Sequence, residues 1–379
     1  MKVAIVHDYI KEYGGAERVL ETLLEIYPEA TVYTSLYAPE FLGPHRSRFE
    51  KYNIKTTFLN SIPFRHKLIS PLRLLAPLAF LSLDLSGFDV VIVSQTGAYF
   101  PNLVKHKKGR LICYTHTPPR YLYGYATARD WKKNKLFAFF AHIANFFLRK
   151  VDFNASKNVD FFIANSEEVA GRIKRFYKRD ATVIYPPVEV RNQESRSRNH
   201  GEGKYYLTGG RLARAKGIDV IVKAFNENGL KLKIFGKGFA GYEEELKKLA
   251  NENIEFLGEV NDEEKLELMR NAKAFIFASF DEDFGITPVE AMGVGTPVIA
   301  YKSGGVKETV VDGKTGLFYE ENTPESLNTA IEKFEILRRA SLAQDDKMRK
   351  DCIKQAEKFS KDRFKKAIEK FVDIKANTT

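Results

Sequence analysis

Glu282 and Glu290 lie eight positions apart in residues 274–290, AFIFASFDEDFGITPVE, the stretch of this sequence best equipped for chemistry. Phe275, Ile276 and Phe277 form an apolar run that reads as a buried parallel strand. Asp281, Glu282 and Asp283 follow as a loop of carboxylates, then Phe284-Gly285-Ile286. Thr287-Pro288-Val289-Glu290 predicts a helix start, with Thr287 as N-cap, proline at the first helical position and Glu290 closing a capping box. A strand, a loop and a helix in that order aim backbone N–H groups and the positive end of a helix above the strand. Such a place attracts anions, and phosphate is the usual one.

Other chemically able residues recur just past strands. Val3-Ala4-Ile5-Val6 reads as a first buried strand, and Gly14-Gly15-Ala16-Glu17 then opens a helix through about Leu24. The paired glycines allow positive φ and close approach of backbone to a ligand. His116 follows the apolar run Leu111-Ile112-Cys113-Tyr114, beyond the carboxyl end of a strand, where ligands of open α/β sheets bind. Arg211 and Lys216, in Gly209-Gly210-Arg211-Leu212-Ala213-Arg214-Ala215-Lys216, place two cations past a strand end beside a helix start. They suit negative charge growing on a leaving group. Residues 236–241 spell G-x-G-x-x-G between a strand and a helix, with Glu259 where a ribose-binding acid would stand; alone, that predicts a nicotinamide enzyme.

The elements that must hold these residues alternate strand and helix. Strands are predicted at 31–35, 55–59, 89–94, 110–115, 159–165, 182–185, 204–208, 232–235 and 297–300. The alternation gives doubly wound parallel sheets. With 379 residues, two domains are expected. Residues 189–203, EVRNQESRSRNHGEG, read as a polar surface connection between them. Cys113 and Cys352 are the only cysteines, which excludes a disulfide framework or zinc spacing and fits a reducing cytoplasm. The N-terminus reads as a strand, its apolar run being too short for a signal peptide.

The whole net charge of +11 falls in residues 1–188, with 27 Lys+Arg against 16 Asp+Glu; the remainder is neutral. Such a basic half suits nucleic acid, an anionic membrane or a phosphorylated substrate. Residues 62–85 mix Arg65, Lys67 and Arg73 with Leu, Phe and Pro. Residues 136–148, LFAFFAHIANFFL, lie between Lys132, Lys133 and Lys135 on one side and Arg149 and Lys150 on the other. Neither reaches the roughly 20 apolar residues of a membrane span. Each fits a helix packed on the sheet, or one lying in the interface of an anionic bilayer.

Glu282-x-Phe-Gly-Ile-x-Pro-x-Glu290 resembles the E-x7-E signature of the retaining family 4 glycosyltransferases. The resemblance implies the GT-B fold, two doubly wound Rossmann-like α/β domains facing across a cleft. The N-terminal acceptor domain would span 1–190, the nucleotide-sugar domain 203–360, and a C-terminal helix in 361–379 would cross back. It implies that Glu282 lies near the donor sugar, that Glu290 binds the ribose, and that the Phe284-Gly285-Ile286 backbone meets sugar and diphosphate. Arg211 and Lys216 would neutralise the diphosphate. Gly14 and Gly15 would touch donor phosphate, His116 the sugar, and the backbone around Val260 would border the base. Asp281-Glu282-Asp283 also spells D-x-D, the metal motif of the other glycosyltransferase fold. The Gly-x-x-Pro-x-Glu continuation does not belong to that motif, so neither a metal nor another cofactor is expected.

His116-Thr117-Pro118-Pro119-Arg120-Tyr121 is similar to a stretch of bacterial and archaeal mannosyltransferases of surface-polysaccharide assembly, making GDP-mannose the preferred donor. The expected acceptor is lipid-linked or an oligosaccharide, at the inner face of the cytoplasmic membrane. Two rivals stand beside this reading. A nucleic-acid-binding protein would explain the basic half but leave the glutamate pair idle. A nucleotide-sugar epimerase would keep the nucleotide site without needing the apolar basic segments.

Overall fold

The computed structural model describes all residues except 126–134, 191–202, 240, 341 and 377–379, and no side chains of 135–138, 340 or 342–344. The chain divides into two compact units: residues 1–125, 131–187 and 361–379, and residues 126–130 and 188–360. Lys132 and Lys133, and most of the polar connection 189–203, lie outside the described residues.

The first unit holds a seven-stranded sheet in the order β3-β2-β1-β4-β5-β6-β7. Its strands are β1 (Val3–His7), β2 (Thr31–Thr34), β3 (Ile54–Thr56), β4 (Val90–Gln95), β5 (Arg110–Thr115), β6 (Phe161–Ala164) and β7 (Ala181–Val183), every pair parallel. Successive side chains of a strand point to opposite faces, and both faces of this sheet are buried. Val6, Val91, Val93, Leu111 and Cys113 join the core on one face, while Val3, Ile5, Ile92, Ile112 and Tyr114 join the core on the other. The order reverses between β1 and β4, which puts the crevice of a doubly wound sheet at His7, Ser94 and Thr115.

Two helices cover the second face. The Gly15–Ile26 helix buries Val19, Leu20, Leu23 and Leu24. The Lys361–Ala376 helix buries Phe364, Ile368 and Val372, spaced i, i+4, i+8 so that one stripe meets the sheet. Phe364 packs edge-on against Tyr114 of β5 at 5.7 Å between ring centroids.

Two expectations for this unit need correcting. The strand expected at 55–59 ends at Thr56, because Thr57 turns the chain by accepting a hydrogen bond from Leu59 N–H and donating to Ser35 O. Residues 62–85 form no single helix. Pro63, Pro71 and Pro77 break the stretch into short turns and one six-residue helix, Ala76–Leu81. The apolar stretch 136–148 lies inside one 22-residue helix, Lys135–Ser156.

The second unit holds six parallel strands in the order β10-β9-β8-β11-β12-β13. They are β8 (Tyr205–Gly209), β9 (Leu232–Phe235), β10 (Ile254–Gly258), β11 (Ala272–Phe277), β12 (Val298–Tyr301) and β13 (Gly316–Tyr319). Here the order reverses between β8 and β11, so the turns after these two strands flank the crevice.

Removing the Phe364 ring tests the contribution of the C-terminal helix. Phe364→Ala should cost the first unit about 3–5 kcal/mol. Urea unfolding followed by hydrogen exchange should show β5 losing protection at lower denaturant while β11 is unchanged; equal midpoints in mutant and wild type would refute this.

Candidate functional site

In the second unit, β11 leads into the carboxylate loop. Asp281 takes φ 47°, and its N–H is bonded by Ser303 Oγ at 3.1 Å. The loop lies directly on Gly304 and Gly305: Gly305 N–H donates to Glu282 O at 2.7 Å. A Cβ on Gly304, which sits at φ 69°, would fall 2.2 Å from that same oxygen. Only glycine lets the two backbones come this close.

Two side chains outside the loop hold the Glu282 carboxylate. Lys216 Nζ and Ser279 Oγ donate to the same oxygen, Oε2, at 2.6 and 2.5 Å. Lys216 itself is held because Phe280 N–H donates to Ala215 O at 3.0 Å. The structure thus brings together a cation after β8 and a carboxylate after β11, on either side of the strand-order reversal. The pair is half-open to solvent, with the Lys216 side chain 35% exposed.

The helix after the loop corrects an expectation. It runs Ile286–Gly293, its N-cap is Gly285 at φ 90°, and no side chain caps it. Thr287 is therefore inside the first turn and Glu290 closes no capping box. The left-handed Gly285 starts the helix two residues early, and Pro288 is tolerated because first-turn amides need no intrahelical partner. Glu290 instead is buried and pairs with Lys265 Nζ at 2.9 Å, and Lys265 also reaches Asp262 at 3.2 Å. Phe284 is buried against Phe359.

The glycine-rich turns of this unit pack on one another. Gly236 N–H donates to Gly258 O at 2.6 Å, Leu212 N–H to Lys237 O at 3.0 Å and Phe239 N–H to Leu212 O at 3.0 Å. The backbone of the G-x-G-x-x-G stretch is thereby committed to its neighbouring turns, and Glu259 pairs with Lys237 at the surface. Arg211 is exposed and Val260 half-buried on the flanking turns.

In the first unit the strand ends carry a polar chain. His7 Nδ1 lies 3.0 Å from Ser94 Oγ, which lies 2.9 Å from His116 Nε2. Burial, with His7 nearby, pulls the His116 imidazole down to about 3, so it is neutral at physiological pH. Asp8 organises the next turn, its Oδ2 accepting from Thr96 Oγ1 and from the N–H groups of Thr96, Ala98 and Tyr99. Burial raises its pKa in spite of these bonds. Gly14 and Gly15 open the Gly15–Ile26 helix, but neither has positive φ; Gly14 is extended at φ −132°. What Gly14 supplies is its N–H, donated to Glu17 Oε2 at 2.9 Å.

Lys265, Ser279, His7 and Ser94 escaped the reading of the sequence. Only His7 left a trace there, as a polar residue closing an otherwise apolar strand. Removing one partner of a buried pair leaves a charge uncompensated, so Lys265→Met should destabilise the second unit by about 3–5 kcal/mol. Lys265→Met/Glu290→Leu should recover most of that loss. If calorimetry finds the single variant as stable as wild type, Glu290 is not held by Lys265.

Comparison with known proteins agrees with this architecture. The family described as Glycosyltransferase Family 4 matches residues 13–192, and Glycosyl transferases group 1 matches residues 190–359. An uncharacterised glycosyltransferase of Methanocaldococcus jannaschii is 30% identical over 55% of this chain and 56% of its own length. The alpha-1,3/1,6-mannosyltransferase ALG2 of Dictyostelium discoideum is 26% identical over 83% of this chain and 85% of its own. Among solved structures, sucrose-phosphate synthase of Thermosynechococcus elongatus superimposes with TM-score 0.73 at 17% identity, covering both chains fully. Anabaena HepE, solved with UDP and glucose, gives 0.70 at 18% identity over 98% of this chain and 99% of that one. With both halves matched and both sheets of the expected kind, the chain belongs to the family 4 glycosyltransferases of the GT-B fold and is a glycosyltransferase.

Proposed function

We propose that the protein transfers mannose from GDP-mannose to a lipid-linked or oligosaccharide acceptor, with retention at the anomeric carbon. The observation that carries the reading is the Lys216–Glu282 pair beside the uncapped start of the Ile286–Gly293 helix. Lys216, Arg211 and the first-turn amides would share the charge of the diphosphate. Glu282 would meet the donor sugar, Glu290 the ribose, and the turn at Val260 the base. Gly14 and Gly15 would approach the phosphates, and His116 the sugar. The acceptor oxygen attacks from the face the diphosphate leaves; the C1–O bond to phosphate breaks as the new C1–O bond forms. The acceptor proton passes to the departing phosphate oxygen. The preference for mannose rests on the 26% identity to alpha-1,3/1,6-mannosyltransferases.

Glu282→Ala and Lys216→Ala should each lower kcat by about 100-fold or more, since both contacts strengthen as charge develops. GDP and GDP-mannose should raise the thermal midpoint more than UDP or ADP and their sugars. Turnover should survive a chelator, because the positive charge needed at the diphosphate is supplied by protein groups. Near-normal turnover in either variant, or activity restored only by magnesium or manganese, would count against this site.

We further propose that the protein works at the inner face of the cytoplasmic membrane. Among the described residues no helix is long and apolar enough to cross a membrane. The first unit nonetheless exposes Phe139, Phe140, Ile143, Phe146 and Phe147 along the Lys135–Ser156 helix, Phe64 and Leu74 on the short turns, and Leu78 on the Ala76–Leu81 helix. Phe146 is 51% and Phe64 70% exposed. Apolar side chains beside Arg149 and Lys150 suit shallow, reversible binding to an anionic bilayer, at roughly 1 kcal/mol for each basic residue near the surface. Co-sedimentation should show binding to phosphatidylserine vesicles at low salt and little to phosphatidylcholine. Phe139→Ser/Phe146→Ser should abolish it without changing the thermal midpoint, whereas a wild type that ignores anionic vesicles would end the proposal.

A further inference from the structure

The polar chain at the ends of β1, β4 and β5 continues beyond the two histidines. Glu17 Oε2 accepts the Gly14 N–H at 2.9 Å, and Glu17 Oε1 faces His7 Nε2 at 3.6 Å. His7 Nε2 is buried and makes no hydrogen bond at that distance, but it faces a carboxylate that is itself largely buried. In a low-dielectric interior a lone pair turned toward that oxygen is repelled and an N–H is attracted. For a neutral His7 imidazole the carboxylate therefore selects the tautomer with hydrogen on Nε2, leaving Nδ1 as an acceptor.

The rest of the chain follows from counting hydrogens. Ser94 Oγ has one hydrogen to give, and it goes to His7 Nδ1. The oxygen then accepts, and the group within reach is His116 Nε2, which must carry a hydrogen. A neutral imidazole has only one, so His116 Nδ1 is left bare. Ser94 and His7 are fully buried and His116 is 8% exposed, so water does not compete for these bonds. Edge contact with Tyr114 at 5.1 Å fixes the His116 ring from the side. Among the described residues Nδ1 of His116 has no hydrogen-bond partner.

We propose that Ser94 is a positioning residue that holds His116 as its Nε2–H tautomer, so that Nδ1 accepts a hydrogen bond from a hydroxyl of the donor sugar. This rests on the reading that His116 meets the donor. The arrangement discriminates by polarity. A sugar with a hydroxyl at that position satisfies Nδ1, while a deoxy or O-methyl sugar leaves a lone pair unpaired. It also links the Gly14 N–H at the helix start to the histidine through Glu17, His7 and Ser94.

The test is nitrogen-15 NMR of the full chain labelled at its seven histidines, with His116 assigned by the resonance lost in His116→Asn. At pH 7 the wild type should show Nδ1 unprotonated and the hydrogen on Nε2. Ser94→Ala should give mixed tautomers and raise the donor KM about 10- to 100-fold with a smaller change in kcat, through lost orientation. Ser94→Thr, which keeps the hydroxyl, should restore both. A wild-type His116 with its hydrogen on Nδ1 overturns the proposal, as does a Ser94→Ala protein with unchanged tautomer and KM. Should Ser94→Ala fail to fold, the wild-type spectrum alone decides the tautomer. If His116→Ala leaves the donor KM unaltered, the contact between His116 and the sugar is what fails, and the spectrum still decides the role of Ser94.

Discussion

Close backbone contact at the carboxyl edge of the second sheet is the constraint on which the site depends. The loop 281–285 carries three carboxylates, and nothing intrinsic to it holds Glu282 toward Lys216. It is held because Gly304 and Gly305 bring a second main chain within hydrogen-bonding distance, so Glu282 O is fixed before its side chain is. Ser279 and Lys216 then need only complete the carboxylate. In the proposed transfer, a preorganised group of this kind would lose little further freedom as charge develops, which is how electrostatic catalysis exceeds what the same residues achieve in water.

The first unit solves a different problem. Its strand ends carry His7, Asp8, Ser94, Thr96 and His116, groups that would be costly to bury singly. They are tolerated because almost every one finds a partner on the adjacent strand or turn, and the parallel register sets those partners side by side. Asp152, on the Lys135–Ser156 helix, shows the same economy deeper in the unit. It accepts from Tyr123 and Tyr177, and burial raises it to about 7. The helix that displays Phe139 and Phe146 to solvent is therefore anchored on its other side by a polar network as well as by Leu148.

Much of this was legible in the sequence because it depends on local pattern. Runs such as Val3-Ala4-Ile5-Val6 and Phe275-Ile276-Phe277 are apolar at every position, as a strand covered on both faces must be. The family resemblance at Glu282 and Glu290 rests on nine consecutive residues. What stayed hidden depends on distance in sequence. Lys265 reads as one lysine in a charged helix, and nothing nearby says that it lies against Glu290. The misplaced helix start has a similar origin: Thr287-Pro288 is a good cap by composition, but the loop that lies on Gly304 and Gly305 ends in Gly285 at φ 90°, and the helix starts there. The pairing of Ser94 with two histidines needed the strand order, because β4 separates β1 from β5 in space while 82 residues of chain, 8–89, separate β1 from β4.

The Lys361–Ala376 helix belongs to the first unit although 173 residues of the second, 188–360, are made before it. On the ribosome, strands β1 to β7 emerge early, yet one face of their sheet lacks Phe364, Ile368 and Val372 until translation has passed them. The second unit lacks no such segment and can close as soon as Ser360 is free. The order of maturation is thus the reverse of the order of synthesis. For that interval the nascent first unit keeps an apolar strip around Tyr114 open, a natural client surface for a chaperone and a point at which truncated products would aggregate.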